Sequence, residues 1–250
     1  MAPPPFLKPP LLALGFLTRL APAMIATPEE MSASCRWYPL AGALLGAVLL
    51  GCLLSLLSLT GESSVAAWVY VLVSVWLTRG LHHDGLADLA DALGSGKTGD
   101  AFWKVVKDSR LGTFGCLALV LATGGQACLV EACLRQNRLA PLFFAPVFAR
   151  CLPIFLAGLA PARAGTGLGA ILAAATGGRL PALAWIALPG FFCLGAAPLL
   201  LSLLAACLIL LFLRRLAGRE GGYNGDFCGA LIICGECSVL AAAFLVPPAA

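Results

Sequence analysis

Apolar residues run along this chain in long blocks, separated by short polar punctuation. The first block extends from about Tyr38 to Leu59, framed by Arg36 and Glu62, and carries Gly42, Gly46 and Gly51 where close helix packing in lipid is expected. A second, Ser63 to Thr78, is short for a span, so it is expected to extend into its polar flanks or tilt little. Further runs cover Leu111–Val130, Leu139–Ala160 (interrupted by Arg150) and Phe227–Val246. The uncharged stretch Leu180–Leu213 is broken near Pro189, Gly190 and Pro198 and reads as two short spans joined by a tight turn. A bilayer crossing needs about 20 predominantly apolar residues. The pattern therefore predicts an all-α, polytopic integral membrane protein with six to seven transmembrane helices. It also predicts one membrane-embedded domain over residues 1–250.

Composition agrees: 60% of the 250 residues are hydrophobic and 11% charged. The net charge of +4 is scattered, which gives no case for nucleic-acid binding and leaves the lipid bilayer as the expected partner. The eleven cysteines, Cys52, Cys116, Cys128, Cys193 and Cys207 among them, lie mostly inside apolar runs as small hydrophobes. The proline-rich start, with Pro3, Pro4, Pro5, Pro9 and Pro10, lacks the character of a signal peptide and reads as a cytosolic or interfacial lead-in. Lys and Arg concentrate in the 79–110, 161–179 and 214–226 loops, which places those loops on the cytosolic side. An oligomer is compatible with this pattern and is not specified by it.

One polar region stands out, from Arg79 to Arg110. Five of the six aspartates fall in it: Asp84, Asp88, Asp91, Asp100 and Asp108. Asp84, Asp88 and Asp91 stand at i, i+4 and i+7, on one face of a helix, which Gly94, Ser95, Gly96 and Gly99 would end. Two carboxylates about 6 Å apart repel by roughly 3 kcal/mol at an effective dielectric of ~20. A divalent cation turns that repulsion into coordination, and all-oxygen ligands suit Mg²⁺ or Mn²⁺. Such a site can neutralise a transferring phosphoryl group and orient an attacking hydroxyl. A solvated acidic surface is the plain alternative, although the other faces carry Leu86, Ala87, Leu89, Ala90 and Leu93.

Next to this face, Lys107, Ser109, Arg110 and Thr113 can donate to phosphate oxygens. A positive-inside anchor also accounts for basic residues there. His82 and His83 precede the triplet; one of them would contact substrate or handle a proton. Arg150 is an intramembrane charge and thus a functional candidate. Asp226 and Glu236 are either further members of the site or structural partners of Arg150 or Arg179.

The run from Gly80 to Asp91, GLHHDGLADLAD, resembles the signature GLHxDGLADxxD of the cobalamin synthase family. The run from Lys107 to Gly115, KDSRLGTFG, is similar to that family's KDSRxGTFG. Three shorter matches stand in the family's order: FLTRL from Phe16, WYPLAG from Trp37 and GGYNGD from Gly221. Departures are small, with Ala21, Ala92 and Asn224 where proline, glycine and threonine are usual. The resemblance implies transfer of the cobinamide phosphate of adenosylcobinamide-GDP to α-ribazole or its 5′-phosphate, with release of GMP and a requirement for Mg²⁺. It implies Asp84, Asp88, Asp91 and Asp108 as metal-holding and catalytic residues, with His82 beside them. Arg19, Arg79, Lys107, Ser109, Arg110, Thr113, Tyr223 and Asp226 are the substrate-binding residues expected from these motifs, with Arg150 added as an intramembrane charge. It also implies a multi-pass protein of the bacterial inner membrane with its site facing the cytosol. Two rivals remain at this level: an intramembrane transferase of CDP-linked or prenyl groups, and a polytopic transporter.

Overall fold

The computed structural model describes residues 4, 6–165, 167–175 and 178–246. Pro3 and Pro5 of the lead-in, and residues 166, 176 and 177 of the 161–179 loop, lie outside them. The described residues form twelve α-helices and no strand: α1 (Lys8–Leu17), α2 (Pro28–Ser34), α3 (Tyr38–Thr60), α4 (Ser63–Leu77), α5 (Leu81–Gly94), α6 (Asp100–Val106), α7 (Thr113–Arg135), α8 (Ala140–Leu159), α9 (Leu168–Ala174), α10 (Arg179–Leu194), α11 (Ala196–Glu220) and α12 (Gly225–Leu245). Five helical stretches are long and apolar enough to cross a membrane, or seven if each of two bent pairs counts as one span. The protein is all-α and polytopic.

Helices α8 and α12 form the centre. About 72% of the apolar window of α8 and 67% of that of α12 are buried, against 33% for α3 and α11 and 28% for α7. The outer helices therefore turn most of their surface to lipid. Close packing of α3 on α8 depends on two glycines: a Cβ on Gly42 or Gly46 would come within 2.4 Å of the Pro146 or Phe143 carbonyl oxygen. Gly51 faces open space. Pro146 lies inside α8 and cannot donate to the Leu142 carbonyl one turn earlier. The Tyr70 hydroxyl of α4 donates to that carbonyl instead, at 2.7 Å, so the freed acceptor is satisfied inside the bundle.

One sequence expectation changes. The Ser63–Thr78 run does not extend. α4 stops at Leu77, Arg79 and Gly80 both adopt left-handed backbone (φ 59° and 69°), and α5 departs at 90° to α4. Arg79 is held in this uncommon conformation by donating to the Gly15 carbonyl at 2.9 Å and the Thr18 carbonyl at 3.1 Å, and also to Phe16. The same bonds satisfy the open C-terminal end of α1, which is docked through buried Leu12, Ala13 and Leu17. The break expected in the Leu180–Leu213 run falls between its prolines, at Gly195 (φ 79°), three residues before Pro198, and joins two helices by a tight turn. Pro189 lies within α10, and α11 is a single helix of 25 residues.

The three basic loops meet at one end of the bundle. Glu220 accepts from the Gly99 amide and from Trp103 Nε1, both at 2.7 Å. The Arg163 guanidinium lies 3.9 Å over the Trp103 ring. The Arg163 amide donates to the Tyr223 carbonyl, the Tyr223 amide to that of Pro161, and the Tyr223 hydroxyl to that of Gly169. α5 and α6 are thereby clamped across the ends of α11 and α12.

Candidate active site

α5 is amphipathic. It buries His82, His83, Gly85, Ala87, Leu89 and Ala92, while Asp84 is exposed and Asp88 and Asp91 are half-buried. Gly85 sets how closely it crosses α12, since a Cβ there would lie 2.9 Å from the Asp226 Cα. That contact brings Asp226, in the first turn of α12, beside Asp84. The Asn224 side chain caps α12 through the Asp226 and Phe227 amides and donates to the Asp226 carboxylate at 2.6 Å.

The acidic residues divide into two kinds. Asp91 is fully occupied by backbone: its carboxylate accepts from the Gly112 amide at 2.7 Å and the Gly115 amide at 2.8 Å. It thus supplies the anion that the open N-terminus of α7 favours. A Cβ on Gly112 or Gly115 would approach an Asp91 carboxylate oxygen to 2.3 or 2.4 Å, which accounts for both glycines of the KDSRLGTFG run. Asp108 is gripped by the Arg110 side chain at 2.9 and 2.6 Å, and this fork holds its carboxyl down at about 2. Asp84, Asp88 and Asp226 have no cationic partner among the described residues. Partial burial, then the charges of Asp84, Asp226 and Asp91, push the Asp88 carboxyl up to about 6.

Asp84 lines two cavities that share Phe16 and Leu81 as walls. The larger, about 600 Å³, is also lined by Arg79, His83, Asp88 and Ser109. The smaller, about 160 Å³, is mostly apolar and includes Tyr38, His82 and Asp226. A third cavity of about 630 Å³, bordered by Glu29 and Arg36, touches none of the aspartates, so size alone does not pick out the site.

The structure therefore gathers Asp84, Asp88, Asp226, His82, Arg79 and Ser109 around these two cavities. Lys107, Arg110 and Thr113 are exposed on the neighbouring loop and line neither. Exposed Arg19 donates to the Trp76 carbonyl and lies 5.6 Å over the Trp76 ring. Tyr223 is fully buried as a loop tie. Arg150 lines neither cavity: it is completely buried and pairs with Glu236 at 2.9 Å, a partnership that an intramembrane charge calls for. Phe16, Leu81 and Tyr38 line the cavities without having been singled out from sequence, although each lies in or beside a family-like motif.

An all-carboxylate set suits a hard cation such as Mg²⁺. Among the described residues no three His, Cys, Asp or Glu side chains converge closely enough to hold an ion by themselves. The donor set fits an ion held by one or two carboxylates and completed by substrate phosphates, as Mg²⁺ commonly is.

A family model described as Cobalamin-5-phosphate synthase matches residues 9–244. The chain is 44% identical over 245 residues to an adenosylcobinamide-GDP ribazoletransferase of Nitratidesulfovibrio vulgaris, covering 96% of this chain and 98% of the relative. It is 38% identical to a protein of the same name from Pseudomonas paraeruginosa (93% and 96% covered), and 36% identical to one from Leptothrix cholodnii (88% and 88%). No solved structure matches the chain.

Proposed function

We propose the activity from one premise: this chain belongs to the cobalamin-5-phosphate synthase family. It is a membrane-embedded transferase that moves the cobinamide phosphate of adenosylcobinamide-GDP onto α-ribazole or its 5′-phosphate in the synthesis of cobalamin. A ribose hydroxyl oxygen bonds to the phosphorus that carries cobinamide. The bond from that phosphorus to the bridging oxygen breaks, and GMP leaves with the bridge. The hydroxyl proton is taken up at the carboxylate end of the smaller cavity.

The observation that carries this reading is the position of Asp84 on the common wall of a large open cavity and a small apolar one. A reaction between a bulky diphosphate donor and a smaller hydroxyl acceptor needs two compartments meeting at one point. The diphosphate takes the larger one, where Arg79 and Ser109 line the wall and can donate to phosphate oxygens. Asp84 and Asp88, with Asp226, would hold Mg²⁺. When bound, the ion neutralises charge on the diphosphate and orients the attacking hydroxyl. Asp91 keeps α7 and the KDSRLGTFG loop in register with α5, and Asp108 holds Arg110. Phosphoryl transfer of this kind depends mainly on positioning and charge stabilisation.

We place the site on the cytosolic side of a bacterial inner membrane. The clustering of Arg163, Arg214, Arg215, Arg219, Lys97, Lys104 and Lys107 at the site's end of the bundle supports this orientation. A transporter is not favoured, because Arg150 and Glu236 neutralise each other instead of lining a path. The test is GMP release by the purified protein given adenosylcobinamide-GDP with and without α-ribazole. Acceptor-dependent release with formation of a cobalamin product is expected. Equal release without acceptor would overturn the reading.

A further inference from the structure

We propose that the cavity of about 160 Å³ beside Asp84 and Asp226 receives the aromatic base of the acceptor ribazole, so that this pocket sets which lower base is accepted. The inference rests on the ribazole-transfer reading above and goes beyond it by assigning one substrate part to one set of side chains. Its volume lies below the roughly 300–1,000 Å³ of sites that hold whole drug-sized ligands. It therefore has room for one flat ring system and none for a corrin or a complete nucleotide. Phe16, Leu17, Leu81, Leu168, Leu172 and Ile232 line it, and such walls suit an apolar aromatic face.

Two buried polar atoms in that wall are unpartnered. His82 is 3% exposed and its Nε2 makes no hydrogen bond; Tyr38 is 1% exposed and its hydroxyl makes none either. Buried polar atoms in native proteins are nearly always paired. A benzimidazole-type base offers one unsubstituted ring nitrogen, an acceptor matched to a His82 N–H, with Tyr38 as a second donor. Guanine, the other base in the reaction, presents O6, N7 and an amino group, more than this wall can satisfy. With the base in the pocket, its ribose extends toward Asp84 and Asp226, and the attacking hydroxyl meets the wall shared with the diphosphate cavity.

The test uses the full-length protein in detergent with adenosylcobinamide-GDP and Mg²⁺, and three α-ribosides as acceptors. These carry 5,6-dimethylbenzimidazole, an indole lacking the acceptor nitrogen, and a three-ring naphthimidazole. For the unmodified protein, losing the nitrogen is expected to raise the acceptor KM about tenfold, and the third ring at least as much. The donor KM stays unchanged in both cases. In His82→Phe the indole and benzimidazole acceptors become equivalent. In Leu172→Phe the acceptor KM rises and the donor KM does not. Equal KM values for the indole and benzimidazole ribosides with the unmodified protein would overturn the assignment. A rise of the donor KM alone in Leu172→Phe would also overturn it, by giving the pocket to guanine. Absence of GMP release with every acceptor would instead sink the transfer reading, and the assignment with it.

Discussion

Two groups of charged side chains lie in one bundle and are treated in opposite ways. Arg150 and Glu236 are buried between α8 and α12 and pair through one guanidinium nitrogen of the arginine. The guanidinium donates to Glu236 at 2.9 Å and to the Pro146 carbonyl at 3.0 Å, and Gln126 donates to the second Glu236 oxygen. Asp84, Asp88 and Asp226 sit at the end of the bundle and make no ion pair among the described residues. The bundle thus neutralises the charges it needs for its own packing and leaves one acidic cluster uncompensated. The first arrangement is structural. The second is the arrangement we propose to hold a cation together with the substrate.

Breaking the paired group should have the largest effect. Glu236→Ala leaves a buried arginine unpaired and should lower stability by about 3–5 kcal/mol, read by thermal unfolding in detergent. Glu236→Gln retains a hydrogen-bonding side chain and should cost less. Breaking the uncompensated group should do the reverse. Asp88→Asn removes repulsion, so the unfolding temperature should hold or rise. Turnover should fall at least about a hundredfold, since even outer partners of metal ligands account for 10–100-fold.

Gly115→Ala probes Asp91, whose carboxylate accepts from the Gly112 and Gly115 amides. Forcing Asp91 off the α7 amides should lower stability by about 1–3 kcal/mol, the usual range for overpacking. Turnover should fall with it as the loop loses register.

The smallest effect is on pH. With the Asp88 carboxyl at about 6, activity should fall roughly tenfold per pH unit below that value, as the charged form is lost. Stability should move the other way. A carboxyl raised in the folded state favours folding most at low pH, and that contribution is lost as pH rises from about 4 through 6. Mg²⁺ should shift the activity midpoint to lower pH. Initial rates and unfolding midpoints across pH 5–8 check both signs.

Much of this is legible in the amino-acid sequence. The runs that become α3, α7, α8 and α12 were marked by apolar length and flanking charges, and the i, i+4, i+7 spacing put Asp84, Asp88 and Asp91 on one helix. What could not be read depended on contacts distant in sequence. The right-angle turn into α5 needs Arg79 to reach carbonyls more than 60 residues away. Asp91 looks like its two neighbours until the Gly112 and Gly115 amides close on it. The partner of Arg150 is Glu236, 86 positions on, which only the packing of α12 on α8 brings against it. Asp226 joins Asp84 only because Gly85 lets two helices cross.

The most direct test of the central claim is a Mg²⁺ titration of GMP release by the unmodified protein, Asp88→Asn and Glu236→Gln, with adenosylcobinamide-GDP and α-ribazole. Saturable Mg²⁺ dependence in the unmodified protein and in Glu236→Gln, with release abolished in Asp88→Asn, is the predicted result. Release that ignores Mg²⁺, or that survives intact in Asp88→Asn, would contradict it.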